Sequence, residues 1–287
     1  MQFYKYQGAG NDFIMVDQRQ SRTLNRKATK QIAFLCDRHF GIGADGLILL
    51  QQHANLDFEM VYFNSDGRES TMCGNGGRCI AAFAKHLGIQ AGEAGYRFMA
   101  IDGEHRALLP HSIGPGGEWV ELHMSDVGQI EMVDNLPAEQ PNLSPGLITG
   151  PDYVLNTGSP HFIRFVPELD ALNLVQEGRG IRYSERFRQE GINVNFVCEN
   201  NGRLLIRTYE RGVEDETLAC GTGVTAAAIA WFRRSGQAAG RADIPVSAKG
   251  GGLAVRFTAH QDGSFTDIWL CGPAQSVFQG EIIFNEN

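Results

Sequence analysis

Two short motifs in the chain have residue types that could move a proton. Cys73-Gly-Asn-Gly and Cys220-Gly-Thr-Gly each run into a small-residue apolar stretch, Ile80-Ala-Ala-Phe-Ala in one copy and Ala226-Ala-Ala-Ile-Ala in the other. Such stretches read as buried helices, which places each cysteine at a helix N-terminus. The first backbone N–H groups of a helix have no internal acceptor, and the helix dipole adds partial positive charge there. A carboxylate can be held at such an end, and the glycines let it approach the backbone. A thiol at the same place has its ionised form favoured. Two of these sites around one bound carboxylate could perform a two-base exchange, in which a thiolate removes the α-hydrogen and the opposite thiol returns a proton to the other face. The other four cysteines, Cys36, Cys79, Cys198 and Cys271, lie in no such setting and read as small core residues.

The elements that would carry these motifs come from a long internal repeat. Gly10-Asn-Asp-Phe-Ile-Met-Val resembles Ser159-Pro-His-Phe-Ile-Arg-Phe-Val, Gly43-Ala-Asp-Gly-Leu-Ile falls over Gly191-Ile-Asn-Val-Asn-Phe, and Cys73 falls over Cys220. Three matches in the same order predict a duplicated unit and two pseudo-symmetric lobes with equivalent elements facing a cleft. Strands are expected around Phe3, Phe13, Leu47, Phe58, Trp119, Phe162, Leu204, Leu253 and Ile268. A helix through Ile32, Leu35, Cys36 and His39 is expected to stop at Gly41, and the two cysteine-headed helices complete an α+β pattern. Either His111-Ser-Ile-Gly-Pro-Gly-Gly or the proline-rich stretch 135–151 could link the lobes. The resulting division is an N-terminal lobe of 1–116 carrying Cys73, completed by a C-terminal strand in 275–287, and a second lobe of 117–274 carrying Cys220.

Composition narrows the function. With 43% apolar and 20% charged residues the 287-residue chain is expected to fold. A net charge of −8, with scattered basic residues, speaks against nucleic-acid binding. No signal peptide or run of about 18 apolar residues is evident, so a cytoplasmic protein without membrane contact is expected. Six cysteines without Cys-x-x-Cys spacing fit reduced thiols and no structural metal.

At these residues the chain resembles the diaminopimelate epimerases, which interconvert LL- and meso-diaminopimelate in lysine and peptidoglycan precursor synthesis. The carriers are Gly8-Ala-Gly-Asn-Asp-Phe-Ile, Arg38-His-Phe-Gly-Ile-Gly-Ala-Asp-Gly, Phe63-Asn-Ser-Asp-Gly, Met72-Cys-Gly-Asn-Gly-Gly-Arg-Cys, Thr157-Gly-Ser-Pro-His, Tyr209-Glu-Arg-Gly and Leu218-Ala-Cys-Gly-Thr-Gly. The resemblance implies two lobes, each a β-barrel-like sheet around a central helix, in a homodimer. It implies a cofactor-independent, metal-free isomerase acting on a small amino acid. By the same resemblance Cys73 and Cys220 are the acid/base thiols, while His161 and Glu210 tune their ionisation. Gly74, Asn75, Gly221 and Thr222 would offer N–H groups to the reacting carboxylate. Asn11, Asn64, Ser159, Asn193, Glu210 and Arg211 would hold the substrate, Arg211 suiting a carboxylate through its planar fork.

The chain departs from the family in three places. Ser159 stands where many members have Asn, Gly46 where some have Gln, and Gly212-Val-Glu-Asp-Glu-Thr is longer and more acidic than usual, which reads as a solvated turn. The rival readings are a racemase of another amino acid, such as histidine or proline, and a non-catalytic amino-acid binding protein. Paired cysteines argue against mere binding, since serine would hold a carboxylate as well. A pyridoxal phosphate enzyme is disfavoured because none of Lys5, Lys27, Lys30, Lys85 and Lys249 has an evident cofactor setting.

Overall fold

In the computed structural model, residues 1–133 and 150–283 are described. The chain forms two compact units, one of Met1–Leu122 with the segment from Gly272 onwards, the other of His123–Cys271.

The first unit contains β1 (Gln2–Gly8), β2 (Asn11–Asp17), α1 (Thr29–Cys36), β3 (Gly46–Gln51), β4 (Phe58–Asn64), α2 (Gly74–His86), β5 (Tyr96–Ala100), β6 (Gly103–Gly114) and β7 (Gly117–His123). The second contains β8 (Glu131–Val133), β9 (Asp152–Asn156), β10 (Pro160–Phe165), α3 (Leu174–Arg182), β11 (Asn193–Asn200), β12 (Arg203–Glu210), β13 (Asp215–Thr217), α4 (Gly221–Arg234), β14 (Gly240–Ala248) and β15 (Gly251–Ala259). The last strand, β16 (Phe265–Glu281), passes from the second unit into the first at Cys271 and Gly272.

In the first unit the order β1-β2-β3-β4-β5-β6-β7-β16 closes on itself, because β16 pairs with β7 through Gly272–Gln275 and with β1 through Gln275–Glu281. The result is an eight-stranded closed barrel. The second unit has the order β16-β15-β14-β12-β11-β10-β9-β8, with β13 attached to β12. There the chain leaves the β16 edge through Met124 N–H to Ile268 O and a bridge between Val127 and Phe265, then turns into β8.

The duplication is visible in the pairing. The only parallel neighbours among the described strands are β2/β3 and β4/β5 in one unit and β10/β11 and β12/β14 in the other. Each parallel pair needs a crossover, and each crossover carries one helix, in the order α1, α2, α3, α4. Phe13 stands opposite Gly46, and their repeat mates Phe162 and Val194 stand opposite each other.

Apolar burial on both faces explains the continuous hydrophobic runs. All six residues of β3 are buried. One face packs with α1 in a core of Ile14, Val16, Leu47, Leu49, Val61 and Phe63, and α2 covers the other. In the second unit α3 covers Phe162, Val194, Phe196 and Tyr209, leaving the alternate residues to α4. The first eleven residues of α2, Gly74 to Ala84, are all buried, as the sequence pattern predicts.

Several local expectations differ from the structure. The first helix ends at Cys36 rather than His39, because the Asp37 carboxylate accepts from the N–H groups of His39 and Phe40 and turns the chain. Gly41 then passes so close to the helix end that a Cβ there would lie 2.0 Å from Phe34 O. The stretch 111–117 closes the β6–β7 hairpin, whereas most of 135–151 lies outside the described residues. Helix α3 and strands β5, β6, β9, β11 and β14 lie outside the elements that the sequence pattern predicts. No described helix is long and apolar enough to cross a membrane.

Candidate active site

In the first unit, Cys73 is the N-cap of α2 with an extended backbone, φ −91° and ψ 132°. The first helical bond runs from Gly77 N–H to Cys73 O, so the N–H groups of Gly74, Asn75 and Gly76 point past the helix end. Arg78, fully buried, fixes that first turn: Nη2 donates to Asn75 Oδ1 at 2.8 Å and Nη1 to Gly74 O at 3.4 Å.

Asn11 sits at the start of β2 and its amide has a defined direction. Nδ2 donates to Asp45 Oδ2 at 2.6 Å, and a carboxylate oxygen can only accept, so Oδ1 faces the helix end. That oxygen accepts from Asn75 Nδ2 at 3.4 Å and from Cys73 Sγ at 3.6 Å. Asp45 is held by Arg38, which also binds Asp12. Burial works against the Asp12 carboxylate, but hydrogen bonds from Arg38 and Lys5 outweigh it and hold Asp12 well below the usual carboxylate range. Asn64 ends β4 in an exposed position opposite Gly46 and is not hydrogen-bonded into this cluster.

In the second unit, Cys220 caps α4 in the same way, with φ −105° and ψ 109°, and is 8% exposed. The first helical bond runs from Val224 N–H to Cys220 O. Thr222, in the first turn, brings its hydroxyl to 3.5 Å from Cys220 Sγ and 2.8 Å from His161 Nε2. Thr157 Oγ1 donates to Thr222 O at 2.9 Å and holds the backbone of that turn. His161 is fully buried, and burial, aided by the charge of Arg211, pushes its pKa down to about 3. The imidazole is therefore neutral at physiological pH.

Strand alternation brings the polar residues of the second unit onto the α4 side. His161 on β10, Asn193 and Asn195 on β11, and Thr208 and Glu210 on β12 occupy alternate positions. Asn195, fully buried, donates to Phe162 O at 3.0 Å, stands 3.1 Å from His161 Nδ1, and accepts from Thr208 Oγ1 at 2.8 Å. Gly223 is required above it, since a Cβ at that position would lie 2.5 Å from Asn195 Oδ1.

The remaining expected residues fall around this core. Asn193 Nδ2 donates to Ser159 Oγ at 2.9 Å and Pro160 O at 3.1 Å, and its Oδ1 accepts from Arg211 N–H at 2.9 Å. Its amide thus braces Ser159 against the end of β12. Arg211 donates one N–H to Glu190 O. Glu210 accepts from Thr217 Oγ1 at 2.9 Å, and burial raises its carboxyl pKa despite that bond. Glu210 has no hydrogen bond to Cys220, whereas His161 reaches that sulfur through Thr222.

The acidic segment after Arg211 is a turn exposed at Gly212, Val213 and Asp215, as expected, but its two glutamates are engaged. Glu214 accepts from the hydroxyls of Tyr183 and Tyr209 and from Gly212 N–H, and Glu216 is gripped by Arg207 and Lys249. Glu214 thereby ties the end of α3 to β12. Of the remaining thiols, Cys36, Cys79 and Cys271 are buried, and burial pushes Cys36 and Cys79 up to about 12. Cys198 differs: it is partly exposed at the rim of the α3 core and donates to Pro167 O. Asp45, Asn195 and Thr208 were not anticipated. A polar residue repeating every second position in an otherwise apolar strand, as in Asn193-Val-Asn195, is the signal that marks the last two.

The family model described as diaminopimelate epimerase matches residues 3–98 and 153–276. The diaminopimelate epimerase of Flavobacterium psychrophilum is 46% identical over 98% of this chain and 100% of its own length. That of Chlorobaculum tepidum is 42% identical, covering 96% and 98%. Among solved structures, a Bacillus anthracis phenazine biosynthesis protein of the PhzF family superposes with a TM-score of 0.74 at 14% identity, covering 99% of each chain. A probable proline racemase from Agrobacterium radiobacter gives 0.66 at 15% identity, covering 99% and 93%. These two likenesses establish the fold.

Proposed function

The chain belongs to the diaminopimelate epimerase family, and from that premise we propose that Cys73 and Cys220 are its two acid/base thiols, acting without a cofactor on the α-carbon of diaminopimelate. The observation that carries this reading is the matched pair of helix starts. Each thiol caps a buried helix whose leading N–H groups point outward, in the two halves of a duplicated fold.

The chemistry follows from that pair. A thiolate takes the α-proton, and the electron pair of the broken C–H bond passes toward the carboxylate as an enediolate. The other thiol gives its proton to the opposite face, so the centre inverts and the two sulfurs exchange protonation states. The N–H groups of Gly74, Asn75, Gly221 and Thr222 suit the charge that grows on the carboxylate oxygens. Removing a single donor of this kind typically costs about 3–4 kcal/mol of barrier.

Asn11, Asn64, Ser159, Asn193, Glu210 and Arg211 are proposed to bind the rest of the substrate. The exposed guanidinium of Arg211 and the raised carboxyl of Glu210 suit a distal group that is itself charged. We further propose a cytoplasmic homodimer, as the resemblance implies, which sedimentation of the full chain checks.

Proton NMR of the reduced protein with LL-diaminopimelate in deuterium oxide tests the central reading. Loss of the α-proton signal with formation of the meso isomer is expected, and neither Cys73→Ala nor Cys220→Ala should show it. Conversion between the LL and meso isomers that persists in either variant would overturn the two-thiol assignment.

A further inference from the structure

We infer that Asn195 is a positioning residue that fixes the tautomer of His161 so that the Thr222 hydroxyl donates to Cys220 Sγ and stabilises its thiolate. The inference rests on the reading of Cys220 as an acid/base thiol and follows from the direction of each hydrogen bond.

The chain of assignments starts at a group that can only accept. Phe162 O is a carbonyl, so the Asn195 atom 3.0 Å from it is the amide nitrogen. The opposite atom is then the carbonyl oxygen, which agrees with Thr208 Oγ1 donating to it at 2.8 Å. The same amide nitrogen stands 3.1 Å from His161 Nδ1 and 3.5 Å from Asn193 O, and we assign its second hydrogen to the nearer atom, Nδ1. Nδ1 must therefore be the lone-pair nitrogen. In a neutral ring the proton then sits on Nε2, which donates to Thr222 Oγ1 at 2.8 Å. With its oxygen accepting that bond, the Thr222 hydroxyl keeps a hydrogen for Cys220 Sγ at 3.5 Å, a contact either atom could donate and in which we assign the hydroxyl as donor. A donor aimed at sulfur favours the charged form over the thiol.

The charged groups around this relay do not reverse it. Arg211, past the end of β12, disfavours a cationic imidazole. Glu210 on β12 is bonded to Thr217, and Glu199 on β11 is engaged by Trp231 farther along α4. On β9 and β10 the ion pair of Asp152 with Arg164 lies on the face that also carries Phe162, away from α4. From β14 and β15 the buried residues that pack in this unit are apolar, such as Val246 and Val255.

The contrast with the first unit sharpens the assignment. There Asn11 Oδ1, an acceptor fixed by Asp45, lies 3.6 Å from Cys73 Sγ. An acceptor favours the protonated thiol. These two hydrogen bonds thus favour the thiolate at Cys220 and the thiol at Cys73.

Two measurements on substrate-free, reduced protein test this. Two-bond proton–nitrogen correlation on the unmodified chain with nitrogen-15 histidine is expected to show His161 near pH 7 with a protonated Nε2 and a lone pair on Nδ1. Alkylation with iodoacetamide, read at each cysteine by peptide mass spectrometry across pH, is expected to show Cys220 reacting at lower pH than Cys73. In Asn195→Ala and in Thr222→Val the Cys220 midpoint should rise by about one pH unit, with Cys73 unmoved, and Thr222→Ser should restore it. A protonated Nδ1 in the unmodified chain, or a Cys220 midpoint unchanged in Thr222→Val, would overturn the inference even if Asn195→Ala fails to fold. Neither readout involves turnover, so failure here is separable from LL-to-meso conversion surviving in Cys220→Ala, which would remove the catalytic reading itself.

Discussion

Cys73 Sγ lies 3.6 Å from Asn11 Oδ1, and the other end of that amide is anchored to Asp45 at 2.6 Å. The sulfur therefore meets an acceptor whose orientation is set from outside the cysteine motif. Replacing Asn11 with Ala removes a bond that favours the thiol, worth about 1 kcal/mol. The expected result is a Cys73 alkylation midpoint lower by about half to one pH unit, together with a fall in kcat/KM of tenfold or more. An unchanged midpoint would show that the contact does not bear on ionisation.

Gly223→Ala tests the packing of α4 on the Asn195 amide. The added methyl would start 2.5 Å from Asn195 Oδ1, an atom held on both sides and fully buried. Overpacking of this kind costs about 1–3 kcal/mol, so thermal unfolding should shift down by several degrees. Denaturant unfolding that matched the parent would mean the strand can yield at this point.

The neutral His161 sets an acid limit on stability. Its pKa in the fold is pushed down to about 3 from an ordinary value of 6.5, so below pH 6.5 the unfolded chain takes up a proton that the folded one excludes. Stability is lost through that window at about 1.4 kcal/mol per pH unit and the loss levels off near pH 3. His161→Gln should accordingly lose about 2–3 kcal/mol less than the parent between pH 6 and pH 4. Urea midpoints at the two pH values check it, and parallel losses in both proteins would refute it.

Glu210 works in the opposite direction. Burial raises its carboxyl pKa, so its ionisation costs stability that is absent in acid and appears as pH rises past the ordinary Glu range. Glu210→Gln is expected to unfold at a higher temperature than the parent at pH 7 and at the same temperature near pH 3.5. A difference that persisted in acid would point to packing instead.

The ion pair between Arg164 and Asp152 is closed off from solvent, with side chains 3% and 1% exposed and bonds of 2.9 and 2.6 Å. Removing one partner strands a buried charge. Asp152→Ala should cost about 3–5 kcal/mol, whereas Asp152→Ala combined with Arg164→Met should recover a large part of it. Additive losses in the double variant would contradict the pairing.

Much of this architecture was legible in the chain because it is written twice. The cysteine-headed helices were readable from glycine and alanine content, and the parallel crossovers follow from the same repeat that sets Phe13 over Phe162. What was not legible has two causes. Strands such as β5, β6 and β14 owe their place to neighbours rather than to their own pattern, since β14 joins β12 through only Leu204 and Leu205 yet runs nine residues against β15. The positioning groups Asp45, Asn195 and Thr208 touch no part of the motifs they serve in sequence. Asp45 reaches Asn11 and Asn195 reaches His161 only after segments 34 residues apart are laid side by side, and Thr208 acts through Asn195.

Strand β16 has a consequence for the order in which the protein can be completed. Its first half finishes the second unit and its second half supplies the stave that closes the first barrel between β7 and β1. A nascent chain therefore has every residue of the second unit before the first can shut, although the first begins to emerge long beforehand. Until then β1 and β7 wait as open edges, the kind of edge that invites pairing with another chain. Closure of the N-terminal barrel thereby waits on the segment from Gly272 onwards, and a chain stopped short of Gly272 leaves behind a complete second unit and a first that cannot close.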